Sequence, residues 1–336
     1  MIKEAIQKVV KFESLSHNEA ADSMKYIMDG NATEAQVSAL ITALRMKGET
    51  VDEISGFAAT MRSKSTHIRI NDDKAVDTCG TGGDGKHTLN VSTISAFVAA
   101  GAGITVAKHG NRSVSSKCGS ADLLSALGVK IDISPEKVEE CIDKAGIGFL
   151  FAPMLHKAMR YAVNPRKEIA IRTVFNILGP LTNPARVKNQ LLGVFDAKLT
   201  EPLANVLLQL GSERAFVVHG NDGLDEISVS DSTTISELKN GRVDTYSVSP
   251  EDFGIERHSI DEITGGEAEE NKNIAERILQ GEKGAGRDII IMNAAAAISA
   301  SDPKITLIEG AALAIESIDS GKAMDKVKQL IDVSNS

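Results

Sequence analysis

The sequence predicts an α/β protein: a small N-terminal all-helical domain followed by a larger domain with a mostly parallel sheet flanked by helices. In the first seventy residues, apolar side chains recur every three or four positions, which is the helical period. From about Lys74, short apolar runs alternate with helical segments, which is typical of βαβ units. A chain of 336 residues is long enough for two domains, and we place them at 1–70 and 71–336. Part of residues 165–190 is expected to pack with the helical domain.

The helical domain divides into four apolar series separated by Gly30-Asn31 and Gly48-Glu49, among other polar positions. Thr33 with Gln36 three positions later has the spacing of a capping box, which predicts a helix start there. We expect this domain to serve as an interaction surface. The four series run over Ile2–Val10, Ala21–Met28, Val37–Leu44 and Ile54–Met61.

The larger domain alternates strand and helix patterns, with no internal repeat. The predicted strands are Lys74–Thr78, Ile104–Lys108, Gln190–Phe195, Arg214–His219, Asp244–Val248 and Asp288–Met292. Helices are predicted over Val91–Ala102 and around 136–145, 198–211, 268–281, 306–319 and 321–332. The uncharged stretch Thr88–Ala107 has the length of a membrane span, but polar residues open it and glycines close it, so we predict a buried helix followed by a strand.

The charge of the chain is unevenly distributed. The net charge is −9, yet Gly85–Ala121 contains no Asp or Glu where the average composition would place about five. Residues 85–195 carry a net +7, which leaves −16 on the rest. An acidic chain with no Trp and three Tyr is a poor nucleic-acid binder, so the basic middle predicts a site for a smaller anion. Neither a signal peptide nor a membrane span is expected, and three cysteines without a CxxC pair indicate a reduced, cytoplasmic protein.

Two loops have the composition of a phosphate site. Gly80–Gly85 (GTGGDG) follows a predicted strand and leads to Asn90-Val91-Ser92-Thr93 at a helix start, where backbone N–H groups can approach an anion. It is neither a P-loop nor a Rossmann fingerprint, and an ordinary turn with an Asn or Ser cap would have the same composition. Lys108–Ser120 follows the next strand with three cations, serines and no acid, which suits a polyphosphate better than a solvated basic loop.

Two further segments are weaker on their own. His156 and Arg166 precede Ile171–Ala185 (IRTVFNILGPLTNPA), and Arg166 could bind a carboxylate, although a lone His or Arg is usually structural. Asp225-Glu226 lies on a loop after a predicted strand and suits Mg²⁺, although an acidic turn would look the same. Together the four segments predict a Mg²⁺-polyphosphate site.

The segments GTGGDG…TLNVST, KHGNRSVSSKCGSADLLSALG, IRTVFNILGPLTNPA and HGNDGLDEIS closely resemble the anthranilate phosphoribosyltransferases of tryptophan biosynthesis, in the family's order over nearly the whole chain. The resemblance implies a nucleoside-phosphorylase type of fold and a cytoplasmic homodimer joined through the helical domain. It also implies a glycosyltransferase that moves the phosphoribosyl group of phosphoribosyl pyrophosphate (PRPP) to the amine of anthranilate and releases pyrophosphate. Mg²⁺ is the implied cofactor, with two ions when PRPP is bound.

The resemblance also assigns site residues. PRPP would be bound by Gly80, Gly83, Asp84, Thr88, Asn90, Val91, Ser92, Thr93, Lys108, His109, Gly110, Asn111, Arg112, Ser113, Val114, Ser115, Ser116 and Ser120. Anthranilate would be bound by Gly80, Asn111 and Arg166, with His109, His156, Gly179 and Pro180 lining the same tunnel. The implied metal ligands are Ser92, Asp225 and Glu226. No residue is assigned as a general base, and Lys108 and Arg166 are expected to act through charge and orientation.

The chain departs from the family pattern around Arg166. Lys157 stands where Pro is frequent, Asn164-Pro165 replaces a frequent Pro-Val, and Ala170 replaces a common Gly. Two alternatives within enzymes are a pyrimidine-nucleoside phosphorylase-like enzyme and a paralogous phosphoribosyltransferase with another aromatic acceptor. A non-catalytic relative that binds nucleic acid would require loss of the carboxylates or a basic outer surface, and the sequence has neither.

Overall fold

The structure, a computed structural model, describes residues 2–113 and 117–336. The first 64 residues contain four helices, α1 to α4. Helix α3 begins with the predicted capping box, in which Gln36 N–H donates to Thr33 Oγ1 and Thr33 N–H donates to Gln36 Oε1. The four helices span Ile2–Val9, His17–Met28, Glu34–Lys47 and Val51–Lys64.

The larger part is built on one seven-stranded sheet in the order β3-β2-β1-β4-β5-β6-β7. Strands β3, β2, β1, β4 and β5 run parallel, whereas β6 and β7 form an antiparallel hairpin at one edge. The fold class predicted from the sequence is therefore confirmed. Strands β1 to β7 span Val76–Gly80, Val106–Gly110, Ile147–Phe151, Asn189–Gly193, Arg214–Gly220, Thr233–Lys239 and Arg242–Val248.

Helices cover both faces of the sheet. Successive side chains along each central strand point to opposite faces, and the side chains on both faces are buried. On β5, Phe216 and Val218 pack into one core, and Ala215 and Val217 pack into the other. Helices α5 to α15 span Val91–Gly101, Ser120–Ala126, Pro135–Ala145, Ala152–Leu155, Arg160–Ile169, Phe175–Leu178, Thr200–Gln209, Ala268–Leu279, Ala285–Ser301, Leu307–Asp319 and Lys322–Asn335. Among the residues described, no helix is both long and apolar enough to cross a membrane.

The N-terminal helices share their core with one face of this sheet. Phe57 of α4, Phe175 of α10 and Leu203 of α11 belong to one apolar cluster. Buried Arg62 of α4 donates from Nε to the carbonyl oxygen of Leu181 at 2.7 Å. Asn164 of α9 donates to Glu34 of α3. The helical part is thus fixed directly against the segments that lead to the edge of the sheet.

One predicted strand is wrong, and two strands were not predicted. Residues 288–292 lie within helix α13, which is buried on almost all sides. Its apolar residues therefore follow one another without the helical spacing that would have distinguished it from a strand. Strand β3 follows helix α7 directly, because Gly146 adopts φ 74° and turns the chain in one residue. In β6, burial falls on both faces of the strand and includes the polar side chains of Thr233 and Ser236, so the hydrophobic pattern does not alternate.

Ala170 ends helix α9 in the left-handed region, at φ 50°. A Cβ is unfavourable there, so we expect Ala170→Gly to stabilise the protein by about 0.5–1 kcal/mol. The matched control is Ala312→Gly on the exposed face of α14, which should destabilise by about 1 kcal/mol. Thermal unfolding of both variants measures this. Equal losses of Tm in the two variants would contradict the assignment of strain to Ala170.

Candidate active site

Four parallel strands end in glycine at their carboxyl ends, which together form one edge of the sheet, called the carboxyl edge. These are Gly80 of β1, Gly110 of β2, Gly193 of β4 and Gly220 of β5. The strand order reverses between β1 and β4. Strands β2 and β3 lie on one side of β1, whereas β4 and β5 lie on its other side. Ligands of open α/β sheets bind outside the carboxyl ends of the strands at such a reversal. The four segments singled out in the sequence follow, or pack against, this edge.

The Gly-rich loop after β1 is held against the acidic segment after β5. The backbone N–H of Gly82 donates to Asp225 Oδ2 at 2.7 Å. The absence of side chains makes this approach possible: a Cβ on Gly80 would lie 2.7 Å from Asp225 Oδ2, and one on Gly193 would overlap with the Asp225 carbonyl oxygen. Arg172 donates to the carbonyl oxygen of Gly83 on the other side of the loop.

Three carboxylates lie close together here. Burial, followed by the charge of Asp84, raises the pKa of Asp225 to about 7. Burial and the neighbouring Asp225 raise the pKa of Glu226 well above its usual value, while Lys108 and a backbone hydrogen bond with Ser92 act in the opposite direction. The predicted metal ligands Ser92, Asp225 and Glu226 are therefore brought together, and the negative charges of the carboxylates are only partly compensated.

Lys108 is buried opposite these carboxylates. Its Nζ donates to the carbonyl oxygen of Thr78 at 2.5 Å and to Ser92 Oγ at 3.2 Å. Burial lowers the pKa of Lys108, and the charges of Asp77 and Glu226 oppose that shift. The side chain thus joins β1, β2 and the start of α5 beneath the edge of the sheet.

The start of α5 presents fewer free groups than the sequence predicts. Thr88 forms an isolated antiparallel bridge with Thr264, and Asn90 bonds through its side chain to protein atoms on two other segments. Val91 and Thr93 are buried, and Thr93 Oγ1 has no hydrogen-bond partner within residues 2–113 and 117–336. Ser92 is the side chain in this turn that contacts Lys108.

The basic loop after β2 is anchored by Asp122. Arg112 donates from Nη1 to Asp122 Oδ1 at 2.7 Å, and the N–H groups of Ser113 and Gly119 donate to Oδ2. Ser120 Oγ donates to the carbonyl oxygen of Asn111. The loop therefore has an acidic partner one residue beyond the acid-free window. Val114, Ser115 and Ser116 of the predicted site lie outside the described residues.

Two neutral histidines form a second subsite beside the loop. The rings of His109 and His156 lie 5.0 Å apart, and among the described residues neither Nε2 has a hydrogen-bond partner although both are buried. Burial lowers the pKa of His156 to about 4, and burial and the neighbouring His156 lower the pKa of His109 well below its usual value. Both buried rings therefore offer uncharged polar atoms.

The Gly179-Pro180 turn lies next to these histidines, and Arg166 lies on helix α9, which follows His156 in the chain. A backbone hydrogen bond with Gly179 partly offsets the lowering of the His109 pKa by burial. One with Thr182 does the same for the pKa of His156. Arg166 of α9 lies over the ring of Phe175 at 5.2 Å, and burial lowers its pKa. In the described part of the chain Arg166 forms no ion pair, so its charge is available to a ligand.

Several residues that shape the site were missed in the sequence. Asp77 accepts from His109 N–H at 3.0 Å and from Asn183 Nδ2 at 2.8 Å, and an acid inside an apolar strand was the available signal. Asp122 stands three residues after Gly119, which is the capping-box spacing. Asn293 bonds both backbone groups of Ile227 and so fixes the acidic segment, but it lies in the helix predicted as a strand.

Across residues 2–113 and 117–336, no group of three or more His, Cys, Asp or Glu side chains could hold a metal ion. Asp225, Glu226 and Ser92 provide two carboxylates and a hydroxyl. This set fits Mg²⁺ only if oxygens of a bound phosphate ligand and water complete the coordination.

Comparisons with known proteins agree with this architecture. A glycosyl transferase family model for a helical bundle domain matches residues 3–65, and one for the a/b domain matches residues 72–324. The chain is 55% identical to the anthranilate phosphoribosyltransferase of Acetivibrio thermocellus over 100% of this chain and 97% of the relative. It is 53% identical to that of Moorella thermoacetica over 98% of each.

Two solved structures are similar over almost the full length. Anthranilate phosphoribosyltransferase from Thermus thermophilus matches with a TM-score of 0.94 and 40% identity, covering 99% of both chains. The Saccharomyces cerevisiae enzyme in complex with PRPP and Mg matches with a TM-score of 0.91 and 30% identity, covering 99% of this chain and 98% of that one.

The neutral state of His156 predicts a pH dependence of stability. Its folded pKa of about 4 lies below the ordinary 6.5, so the unfolded chain binds a proton that the folded one does not. The stability that the folded protein has with neutral His156 is fully present above pH 6.5 and is progressively lost as the pH falls towards 4. His156→Gln should therefore gain stability relative to wild type on acidification, by up to about 3 kcal/mol at pH 4.

Tm measured between pH 4 and 8 for wild type, His156→Gln and the control His67→Gln checks this expectation. His67 is exposed, so its variant should follow the wild-type curve. A constant Tm difference between His156→Gln and wild type across the range would show that His156 is not held neutral by burial.

Proposed function

Because the chain belongs to the anthranilate phosphoribosyltransferase family, we propose that the glycine-ended edge of its sheet carries the transfer of the phosphoribosyl group of PRPP to the amine of anthranilate. The products are N-(5-phosphoribosyl)anthranilate and pyrophosphate. The observation that supports this most strongly is the meeting of the Gly-rich loop with the buried carboxylates of Asp225 and Glu226 and with buried Lys108 at the carboxyl ends of the parallel strands.

PRPP is proposed to lie between the Gly-rich loop and the basic loop. Gly80, Gly83 and Asp84 would contact it from the first loop, with Thr88 and Asn90–Thr93 at the start of α5. Lys108–Ser116 and Ser120 would supply the second loop. The buried Lys108 and the absence of acidic residues from the basic loop support this placement, because a polyphosphate needs cations and N–H donors.

Mg²⁺ is the proposed cofactor, held by Ser92, Asp225 and Glu226 together with the phosphates of PRPP. The buried carboxylates with raised pKa values support this assignment, since a divalent cation would supply the missing positive charge. When bound, the metal would neutralise charge that develops on pyrophosphate. We propose two ions per site, as the family resemblance implies.

Anthranilate is proposed to bind between Arg166 and the histidine pair. Arg166 would hold its carboxylate, and Asn111 and Gly80 would contact the acceptor from the PRPP side. His109, His156, Gly179 and Pro180 would line the approach. The half-buried guanidinium without an ion pair supports this role, because a charge in such a position favours an anionic partner.

The chemistry then follows from charge and orientation. Departure of pyrophosphate leaves positive charge on the ribose ring, so the transition state is oxocarbenium-like. Lys108 and the loop N–H groups stabilise the departing anion electrostatically. Arg166 orients the acceptor so that its amine faces the anomeric carbon. Neither histidine carries a positive charge that would oppose the developing cation.

We further propose domains at 1–70 and 71–336 and a cytoplasmic homodimer joined through the helical part. Large apolar side chains exposed on that part support the interface. They are Val10, Phe12 and Met46, together with Val163 of the adjoining helix α9.

The proposed activity is tested by following the loss of anthranilate fluorescence with PRPP and Mg²⁺ present. We expect turnover in the complete mixture, and none when PRPP or anthranilate is omitted. Chelation of Mg²⁺ should reduce the rate strongly. No change in the complete mixture would refute the proposed function.

Arg166→Ala should raise the KM for anthranilate by about ten- to a hundredfold, because a charge-assisted contact to the carboxylate is lost. The KM for PRPP should change far less. Arg160→Ala is the matched control, since Arg160 lies on the same helix and stacks on Tyr161. Steady-state kinetics with each substrate varied measures both values. Equal effects of Arg166→Ala on the two substrates would contradict the assigned role.

A further inference from the structure

Asn271 of helix α12 is a buried polar residue that holds Asn90, the residue that bridges the start of α5 and the basic loop in the proposed PRPP site. Its Nδ2 donates to Asn90 Oδ1 at 2.9 Å, and its Oδ1 accepts from Gly266 N–H at 2.8 Å. Asn90 in turn donates from Nδ2 to the carbonyl oxygen of Cys118 at 3.0 Å. Asn90 lies at the start of α5 and Cys118 belongs to the basic loop, so Asn90 bridges these two segments directly and Asn271 holds Asn90 from α12.

The backbone before α12 reinforces the same contact. Leu89 N–H donates to the carbonyl oxygen of Ile263 at 3.0 Å, and Gly265 N–H donates to that of His87 at 2.9 Å. The segment therefore pairs with residues 87–89 like a short antiparallel strand. A Cβ on Gly265 would lie 2.6 Å from the carbonyl oxygen of Thr88, so the approach depends on a glycine there.

The bonds also fix the orientation of the Asn90 amide. An amide presents a donor and an acceptor on opposite sides, and a flipped Asn90 would set its oxygen against the Cys118 carbonyl and its nitrogen against Asn271 Nδ2. With Asn271 in place, one N–H of Asn90 is used by Cys118 and the second remains for a ligand. Asn271 is too deeply buried, at 2% exposure, to contact the substrate itself.

We propose that Asn271 is a positioning residue for PRPP: it holds the Asn90 amide in one orientation and keeps the start of α5 in register with the basic loop. This inference rests on the proposed function, because it assigns a role at the PRPP site. It concerns PRPP and not anthranilate, since the contacts of Asn271 lie on the phosphate loops and not at the histidine pair or Arg166.

The test combines Asn271→Ala, Asn90→Ala and the double variant with kinetics for both substrates and Tm. Asn271→Ala should raise the KM for PRPP by about tenfold and change the KM for anthranilate by less than about twofold. Because both side chains act through one contact, the double variant should be no more than about twofold worse than Asn90→Ala. Asn271→Ser, with a smaller loss of packing, serves if the alanine variant does not fold.

Asn189→Ala is the matched control. Asn189 is also buried and donates twice to backbone carbonyls, those of Asp73 and Ala75, but at the opposite edge of the sheet. It should lower Tm without shifting the ratio of the two KM values. If Asn271→Ala behaves like this control, or raises both KM values equally, or multiplies the effect of Asn90→Ala, the inference is wrong. Absence of turnover in wild type would instead refute the proposed function.

Discussion

The structure depends on one electrostatic arrangement: buried carboxylates and a buried ammonium group share the carboxyl edge of a parallel sheet. Lys108 lies beneath this edge, and Asp77 and Glu226 act on its charge from two sides. Asp225 and Glu226 lie next to one another and have raised pKa values. The positive groups of the folded chain therefore do not fully compensate the negative charge that the two carboxylates would carry. In the proposed function, a Mg²⁺-bound polyphosphate would supply both the cation that the carboxylates lack and an anion for the N–H groups and cations of the loops.

The scaffold brings these groups together through the strand order. Because β1 lies between β2 and β4, the loops after these strands meet where the direction of the sheet order reverses. Asp77 joins β1 to β2 and to the segment before β4, since it accepts hydrogen bonds from the backbone of His109 and from the side chain of Asn183. The N-terminal helices hold Phe175, over whose ring the Arg166 guanidinium lies, in their own core.

The residues that carry charge or conformational freedom could be predicted from the sequence, whereas the residues that position them could not. Glycine runs, a basic stretch and paired carboxylates each have ordinary structural uses, and it is their combination along one chain that points to an anion and a metal. Asn271 lies 181 positions from Asn90, and Asn183 lies 106 from Asp77, so only the tertiary fold reveals those pairs. Strand β6 and helix α13 were misread for a related reason, because burial there does not follow the hydrophobic pattern.

A Mg²⁺ titration of the Asp225→Asn, Glu226→Gln double variant tests the central claim most directly. With PRPP and anthranilate saturating, half-maximal turnover should require at least about tenfold more Mg²⁺ than in wild type, because two of the proposed metal ligands lose their charge. Asp231→Asn, which removes a nearby charge that interacts with Arg257 instead, should leave the titration unchanged. Superimposable titrations of the double variant and wild type would contradict the account.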